Sequence, residues 1–144
     1  MRLIGLVILA ISLFLAPLAA EAQRTGKPAR IGVLCPIACE GSGVDAFRLA
    51  MRDLGYVERR TLVFEYRAAE GQVDRLPALA GELVQTKVDV IFTTWGTAPA
   101  LAAKRATATI PVVMAAAGDP VRAGIVPSLT NRGGNVTGRC PDPC

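Results

Sequence analysis

The chain has 144 residues, 51% of them hydrophobic, 19% charged and 5% aromatic, with a net charge of +4 and no histidine. That is enough for one domain with a real core, too apolar for a disordered chain, and too short for two domains. The missing histidine removes histidine metal sites, serine–histidine and cysteine–histidine nucleophile pairs and histidine general bases. Basic residues such as Arg48, Arg52, Arg59, Arg60, Arg67, Arg75, Arg105 and Arg132 are scattered along the chain. A nucleic-acid binder gathers its basic residues on one element and interleaves aromatics, so they read as solvated helix faces and no nucleic-acid partner is expected.

Residues 1–22 have the pattern of a cleavable signal peptide. Arg2 gives the positive start, Leu3 to Leu15 is apolar apart from Gly5 and Ser12, and Ala20-Glu21-Ala22 fits the small-x-small rule before Gln23. The apolar run is shorter than the roughly 20 residues of a spanning helix, and no cysteine follows it to take a lipid. The mature protein is expected to be exported. Residues 23–29 read as a flexible lead-in with Gly26 and Pro28.

Arg30 to Cys35 is expected to be the first strand, ended by Pro36, with a small-residue loop from Cys35 to Gly43. A helix follows, starting near Ser42 or Asp45, whose buried stripe is Val44, Phe47, Met51 and Leu54. Gly55 suits the left-handed position after it. Arg60 to Arg67 alternates Leu62, Phe64 and Tyr66 with Val63, Glu65 and Arg67, the pattern of a half-exposed edge strand. Ala69-Glu70-Gly71-Gln72 turns into a helix placed from about Asp74, with Leu76, Leu79, Ala80, Leu83 and Val84 as its apolar stripe.

From Val88 to Val121 the chain repeats one device. Val88, Val90, Ile91 and Phe92 are an apolar run suited to a strand buried on both faces. Thr93 to Thr97 turns the chain, with Thr97 as N-cap, Pro99 in the first helical turn and the helix continuing through Leu101 to Thr107. Ile110, Val112, Val113 and Met114 make the next strand. Gly118-Asp119-Pro120 then opens a short helix over Val121 to Leu129, with Asp119 as its cap, and Asn131 to Gly134 breaks it. Asn135 to Gly138 begins a further strand. The alternation predicts an α/β fold: a Rossmann-like, doubly wound parallel sheet of order 2-1-3-4-5.

In such a sheet the ligand edge lies at the strand carboxyl ends. There Thr93, Thr94 and Thr97 place hydroxyls beside a helix N-terminus, which favours a carboxylate. Asp119 has two roles open to it, cap and ligand contact. Trp95, the only tryptophan, either folds over the adjacent helix or forms a wall stacking on a flat ligand. Gly41-Ser42-Gly43 lacks the remaining parts of a dinucleotide or P-loop motif, yet its loop stands at a strand end and can line a pocket. The pairs Cys35-x3-Cys39 and Cys140-x3-Cys144 leave a disulfide and incidental thiols as alternatives, and no metal or cofactor is expected. Asn135-Val136-Thr137 matches a glycosylation sequon, a pattern that chance often produces.

Several pieces of this pattern occur together: Leu54-Gly55-Tyr56-Val57, Glu65-Tyr66-Arg67, Asp74-Arg75-Leu76, Gly118-Asp119-Pro120-Val121 and Gly133-Gly134-Asn135-Val136-Thr137-Gly138. From Lys27 to Gly138 the chain resembles the ABC-transporter substrate-binding proteins of the tryptophan/tyrosine-binding type. The resemblance implies one lobe of a type I periplasmic-binding-protein fold, in which two Rossmann-like lobes close on a solute and present it to a membrane permease. It implies a non-enzymatic, periplasmic component of an importer for an amino acid or related small molecule. Carried over, the pocket draws on the loops at Cys35–Ser42, Thr93–Thr97 and Gly118–Asp119, within which Pro36, Ser42, Thr94, Trp95, Thr97 and Asp119 are the candidate ligand contacts.

Members of that family are much longer. Here residues 30–138 match the N-terminal lobe and residues 139–144 (RCPDPC) match neither a hinge nor a strand, so a truncated copy with impaired binding is expected. The alternative is a freestanding exported α/β domain that dimerises to form a small-molecule cleft. An exported enzyme would need Thr94 or Asp119 to act without a general base, and a receiver-like signalling domain conflicts with export.

Overall fold

Short apolar runs bounded by turns set the sheet. The computed structural model describes residues 26–128 and 134–138, with Ser42 described in its backbone alone. Its strands are β1 (Ala29–Cys35), β2 (Leu62–Ala68), β3 (Val90–Thr93), β4 (Val112–Met114) and β5 (Val136–Gly138). They form one parallel sheet of order β2-β1-β3-β4-β5, the expected order, with Ile31 of β1 between Phe64 of β2 and Val90 of β3. Val33, Leu34, Cys35, Ile91 and Val112 have no exposed surface, as a strand covered on both faces requires.

The two faces are covered differently. On one lie α2 (Leu76–Gln85) and α3 (Thr97–Ala106). The α2 stripe of Leu76, Leu79, Ala80 and Leu83 is buried with Leu34, Ile91, Val112 and Met114 in a single core. Leu83 lies so close to β1 that a Cβ on Gly32 would stand 3.0 Å from Leu83 Cδ2. Fully burying each such leucine contributes about 2 kcal/mol of transfer free energy. On α3 the buried positions are Pro99, Ala100, Ala102 and Ala103, small residues that let the helix backbone approach the sheet.

The other face carries α1 (Ser42–Asp53). Val44 is buried, and Phe47 and Met51 pack over Ile31, Val33 and Phe92. The Phe47 and Phe92 rings stack with centroids 4.0 Å apart and 6° between planes, and Phe64 meets Phe47 edge-on at 6.0 Å. At the amino ends of the strands, Arg30 pairs with Glu65 at 2.7 Å and donates to the Thr86 carbonyl at 2.8 Å. The Asn135 amide donates to the carbonyls of Thr107 (3.0 Å) and Ile110 (2.7 Å), which sets β5 beside β4. That nitrogen of the sequon is therefore occupied in holding the fold.

Five local expectations are corrected. Leu54 does not join the α1 stripe: the helix ends at Asp53, Leu54 is its C-cap, and its side chain is 73% exposed. Gly55 then takes φ 89°, as expected for the left-handed position. β2 begins at Leu62, because Arg59 adopts φ 65° and the Val57 carbonyl accepts from the N–H groups of Arg60 and Thr61 in a tight turn. Burial along β2 does not alternate, since helices flank both of its faces. Thr97 is the first residue of α3, and its N-cap is Gly96. The expected helix over 121–129 is only a turn: Ala123 N–H reaches the Asp119 carbonyl, and Gly124 at φ 71° reverses the chain ahead of Pro127. Residues 1–22, expected to be a signal peptide, and the tail 139–144 lie outside the described residues. No helix among the described residues is long and apolar enough to cross a membrane.

Candidate functional site

α1 follows β1 on one face of the sheet and α3 follows β3 on the other, so the chain parts between these neighbouring strands and leaves a crevice at their carboxyl ends. Both helices start from a glycine, Gly41 at φ 111° and Gly96 at φ 95°, and no side chain caps either one. Glycine holds that left-handed backbone without strain. In α3 the N–H groups of Thr97 and Ala98 thus point at the crevice without a side-chain acceptor, and Pro99 has no N–H to satisfy.

A cavity of about 100 Å³ opens here, lined by Gly43, Phe92, Thr94, Trp95, Ala115 and Ala116. Trp95 is 63% exposed and lies over the start of α1, where a Cβ on Gly43 would stand 3.3 Å from the indole Nε1. Thr94 is 3% exposed and its Oγ1 is buried without a hydrogen-bond partner; Thr93, wholly buried, has an unpartnered Oγ1 as well. A buried hydroxyl without a partner costs stability, and functional sites are where such costs are found. The site is a mostly apolar, partly aromatic niche with an uncompensated hydroxyl and a helix N-terminus near it, which suits a small anionic group attached to an apolar body.

The predicted contacts divide. Thr94 and Trp95 line the cavity together. Thr97 is not among the lining residues; it begins α3 just after Trp95, with its Oγ1 3.6 Å from where a Cβ on Gly118 would lie. Asp119 is exposed and its Oδ1 accepts from the N–H groups of Val121 (3.1 Å) and Arg122 (2.9 Å), so it closes the turn that stands in place of the expected helix. Pro36 lies away from the cavity, with its carbonyl accepting from Gly71 N–H at 2.9 Å. Ser42 contributes the first residue of α1, and its side chain lies outside the description. Phe92, Ala115 and Ala116 were not among the sequence candidates; the Ala115-Ala116-Ala117 run after β4 was the one available hint, since small residues at a strand end leave room.

A larger concavity of about 570 Å³ lies between α1 and the start of β2, among Arg48, Met51, Tyr56, Glu58 and Phe64. It is away from the strand carboxyl ends, and two of its charged side chains, Arg48 and Glu58, are paired with each other at 2.7 Å. That carboxylate raises the Arg48 pKa, and burial raises that of the nearby Tyr66. Cys35 and Cys39 form a disulfide beside the site; Cys140 and Cys144 lie outside the described residues. Among the described residues no cluster of three or more histidine, cysteine, aspartate or glutamate side chains could hold a metal ion.

The fold is a doubly wound α/β sheet that carries this niche at the carboxyl ends of neighbouring strands. The family described as ABC transporter substrate binding protein matches residues 31–142, and the chain belongs to that family. It is 37% identical over 92 residues to the tyrosine-binding protein of Clostridioides difficile (strain R20291), covering 64% of this chain and 26% of that protein. An ABC domain in complex with L-Trp from Streptococcus pneumonia superposes with a TM-score of 0.70 at 28% identity, over 79% of this chain and 39% of that one. A ligand-free, open substrate-binding protein with adhesive properties from Clostridium difficile gives a TM-score of 0.68 at 30% identity, over 76% and 38%. A conserved domain protein from Vibrio cholerae gives 0.69 at 34% identity, over 78% and 38%. The chain thus spans between about a quarter and two fifths of the length of these relatives. The resemblance read from the sequence is borne out, and the family is one of substrate-binding proteins.

Proposed function

We propose that this chain is the exported N-terminal lobe of an aromatic amino acid receptor serving an ABC importer, with a periplasmic location and a membrane permease as partner. The observation that carries the reading is the niche in which the unpartnered Thr94 hydroxyl, the uncapped start of α3 and the exposed Trp95 ring meet. The Thr94 hydroxyl and the N–H groups of Thr97 and Ala98 receive the carboxylate, and Trp95 stacks on the side-chain ring. The tyrosine- and tryptophan-binding relatives support this choice of ligand class. The division into a leader over 1–22, a lead-in over 23–29 and a lobe over 30–138 belongs to the same proposal.

One lobe offers one wall of a cleft, and closure of two lobes supplies most of the ligand burial. Affinity for the lobe alone is therefore expected to be millimolar. The test is an NMR titration of the full chain with L-tyrosine, L-tryptophan and tyramine, which lacks the carboxylate. Shifts at Thr94, Trp95 and Thr97 with the two amino acids, and none with tyramine, support the reading. Equal response to tyramine, shifts elsewhere, or tight binding by the lobe alone would overturn it.

A further inference from the structure

The Cys35–Cys39 disulfide joins the buried last residue of β1 to the middle of the loop that leads into α1. The start of this loop is held by the main chain: Ala69 N–H donates to the Cys35 carbonyl and Gly71 N–H to the Pro36 carbonyl, both at 2.9 Å. Among the described residues, no backbone hydrogen bond ties residues 37–40 to the body of the protein, and Ile37 is 67% exposed. The covalent bridge is what holds this stretch down. Past it come Gly41 and the first turn of α1, where Gly43 packs beneath the Trp95 indole. The disulfide, the loop, Gly43 and Trp95 form one mechanical sequence that ends in the wall of the niche.

The reduced form also has a place to go. Cys39 Sγ lies 3.5 Å from the Arg67 carbonyl and 3.9 Å from that of Val33. A disulfide sulfur has no hydrogen to donate, but a thiol at Cys39 would find both acceptors in position, and buried Cys35 would behave as a small apolar side chain. An S–H group is a weak donor, so it would dock the loop only part of the time.

We propose that the Cys35–Cys39 disulfide is a redox-responsive clamp on the ligand niche, whose reduction loosens the 36–41 loop and the Gly43–Trp95 wall while the sheet stays folded. A dithiol reductant supplies the electrons. Its thiolate attacks the more accessible sulfur, Cys39, forming a mixed disulfide and expelling Cys35 as a thiolate that takes up a proton. The reductant's second thiol then displaces Cys39, leaving two protein thiols and a cyclic disulfide, a transfer of two electrons and two protons. The consequence for ligand binding rests on the proposed receptor function; the movement of Trp95 does not.

The experiment uses the full chain carrying Cys140→Ser and Cys144→Ser, so that a single pair is titrated. Trp95, the sole tryptophan, reports through its emission and its quenching by iodide. Circular dichroism follows the fold, thiol counting confirms reduction, and an L-tyrosine titration by NMR follows the niche. Reduction is expected to raise iodide access to Trp95 and to weaken L-tyrosine binding on the order of tenfold, the scale of returning conformational freedom to a few loop residues. Circular dichroism should stay constant, reoxidation should reverse both changes, and Cys39→Ser should match the reduced state under all conditions. Unchanged Trp95 access after confirmed reduction would overturn the clamp, as would loss of the circular dichroism signal, which would make the bridge a fold staple. Should L-tyrosine bind in neither state, the receptor reading falls and the Trp95 measurement still decides the clamp.

Discussion

Replacing Thr94 by valine should make the protein more stable and a poorer binder at once. Valine keeps the shape of threonine, so packing against Phe92 and the β-branched backbone preference are retained. What disappears is a buried hydroxyl, on a residue that is 3% exposed, that has no hydrogen-bond partner. Leaving such a group buried costs about 1–3 kcal/mol, and with partial relaxation we expect Thr94→Val to gain about 1 kcal/mol. In a domain of this size that raises the melting temperature by about 4 °C. Urea denaturation followed by circular dichroism should show a higher midpoint with an unchanged slope, while the NMR response to L-tyrosine is lost. Thr93→Val is the control: its hydroxyl is equally buried and unpartnered but does not line the cavity, so stability should rise with binding unaffected. Destabilisation by Thr94→Val would refute the reasoning, because it would mean that the hydroxyl is satisfied in the folded protein.

Three further outcomes follow from the packing. Gly32→Ala pushes a methyl to within 3.0 Å of Leu83 Cδ2 and should cost about 1–3 kcal/mol; adding Leu83→Val should recover part of that loss, seen as non-additivity in a double-mutant denaturation cycle. Asn135→Ala removes both donors to the Thr107 and Ile110 carbonyls and should cost about 2–3 kcal/mol in the same assay. Burial holds the Tyr66 pKa above its ordinary value, which is about 10. The unfolded chain therefore gives up this proton first, so the stabilising contribution is complete below about pH 10 and is lost as pH rises through the folded value. Tyr66→Phe also removes a hydroxyl that is buried without a partner, so it should be somewhat more stable than wild type near neutrality, and its advantage should widen in that alkaline range, as read from urea midpoints across a pH series.

The strands were legible because residues such as Val33, Ile91 and Val112 sit in short apolar runs that a two-faced burial demands, and β2 declared itself an edge through its alternating polar residues. Where the reading failed, a local preference lost to geometry. Leu54 continues the α1 periodicity on paper, but the helix has ended one residue earlier and the extrapolated face no longer exists. Threonine is a better side-chain cap than glycine, yet the backbone at Gly96 turns through φ 95°, which threonine would adopt only with strain. Phe92 enters the niche because its ring stacks on Phe47, a contact between elements 45 residues apart that no local pattern encodes. The Cys35–Cys39 bridge depends on how the loop after β1 doubles back, and the spacing alone leaves that open.

β1, the first strand made, ends up in the interior of the sheet, between β2 and β3. Every pairing is parallel, so no hairpin can start the sheet, and both neighbours of β1 arrive only after a helical crossover. One edge of β1 waits for residues 62–68 and the other for residues 90–93, and such non-local pairing makes folding slow. A nascent chain of this design stays threadable until a late segment has emerged. For the exported receptor proposed above, which would pass through a membrane pore as an extended chain, that delay would be an asset written into strand order.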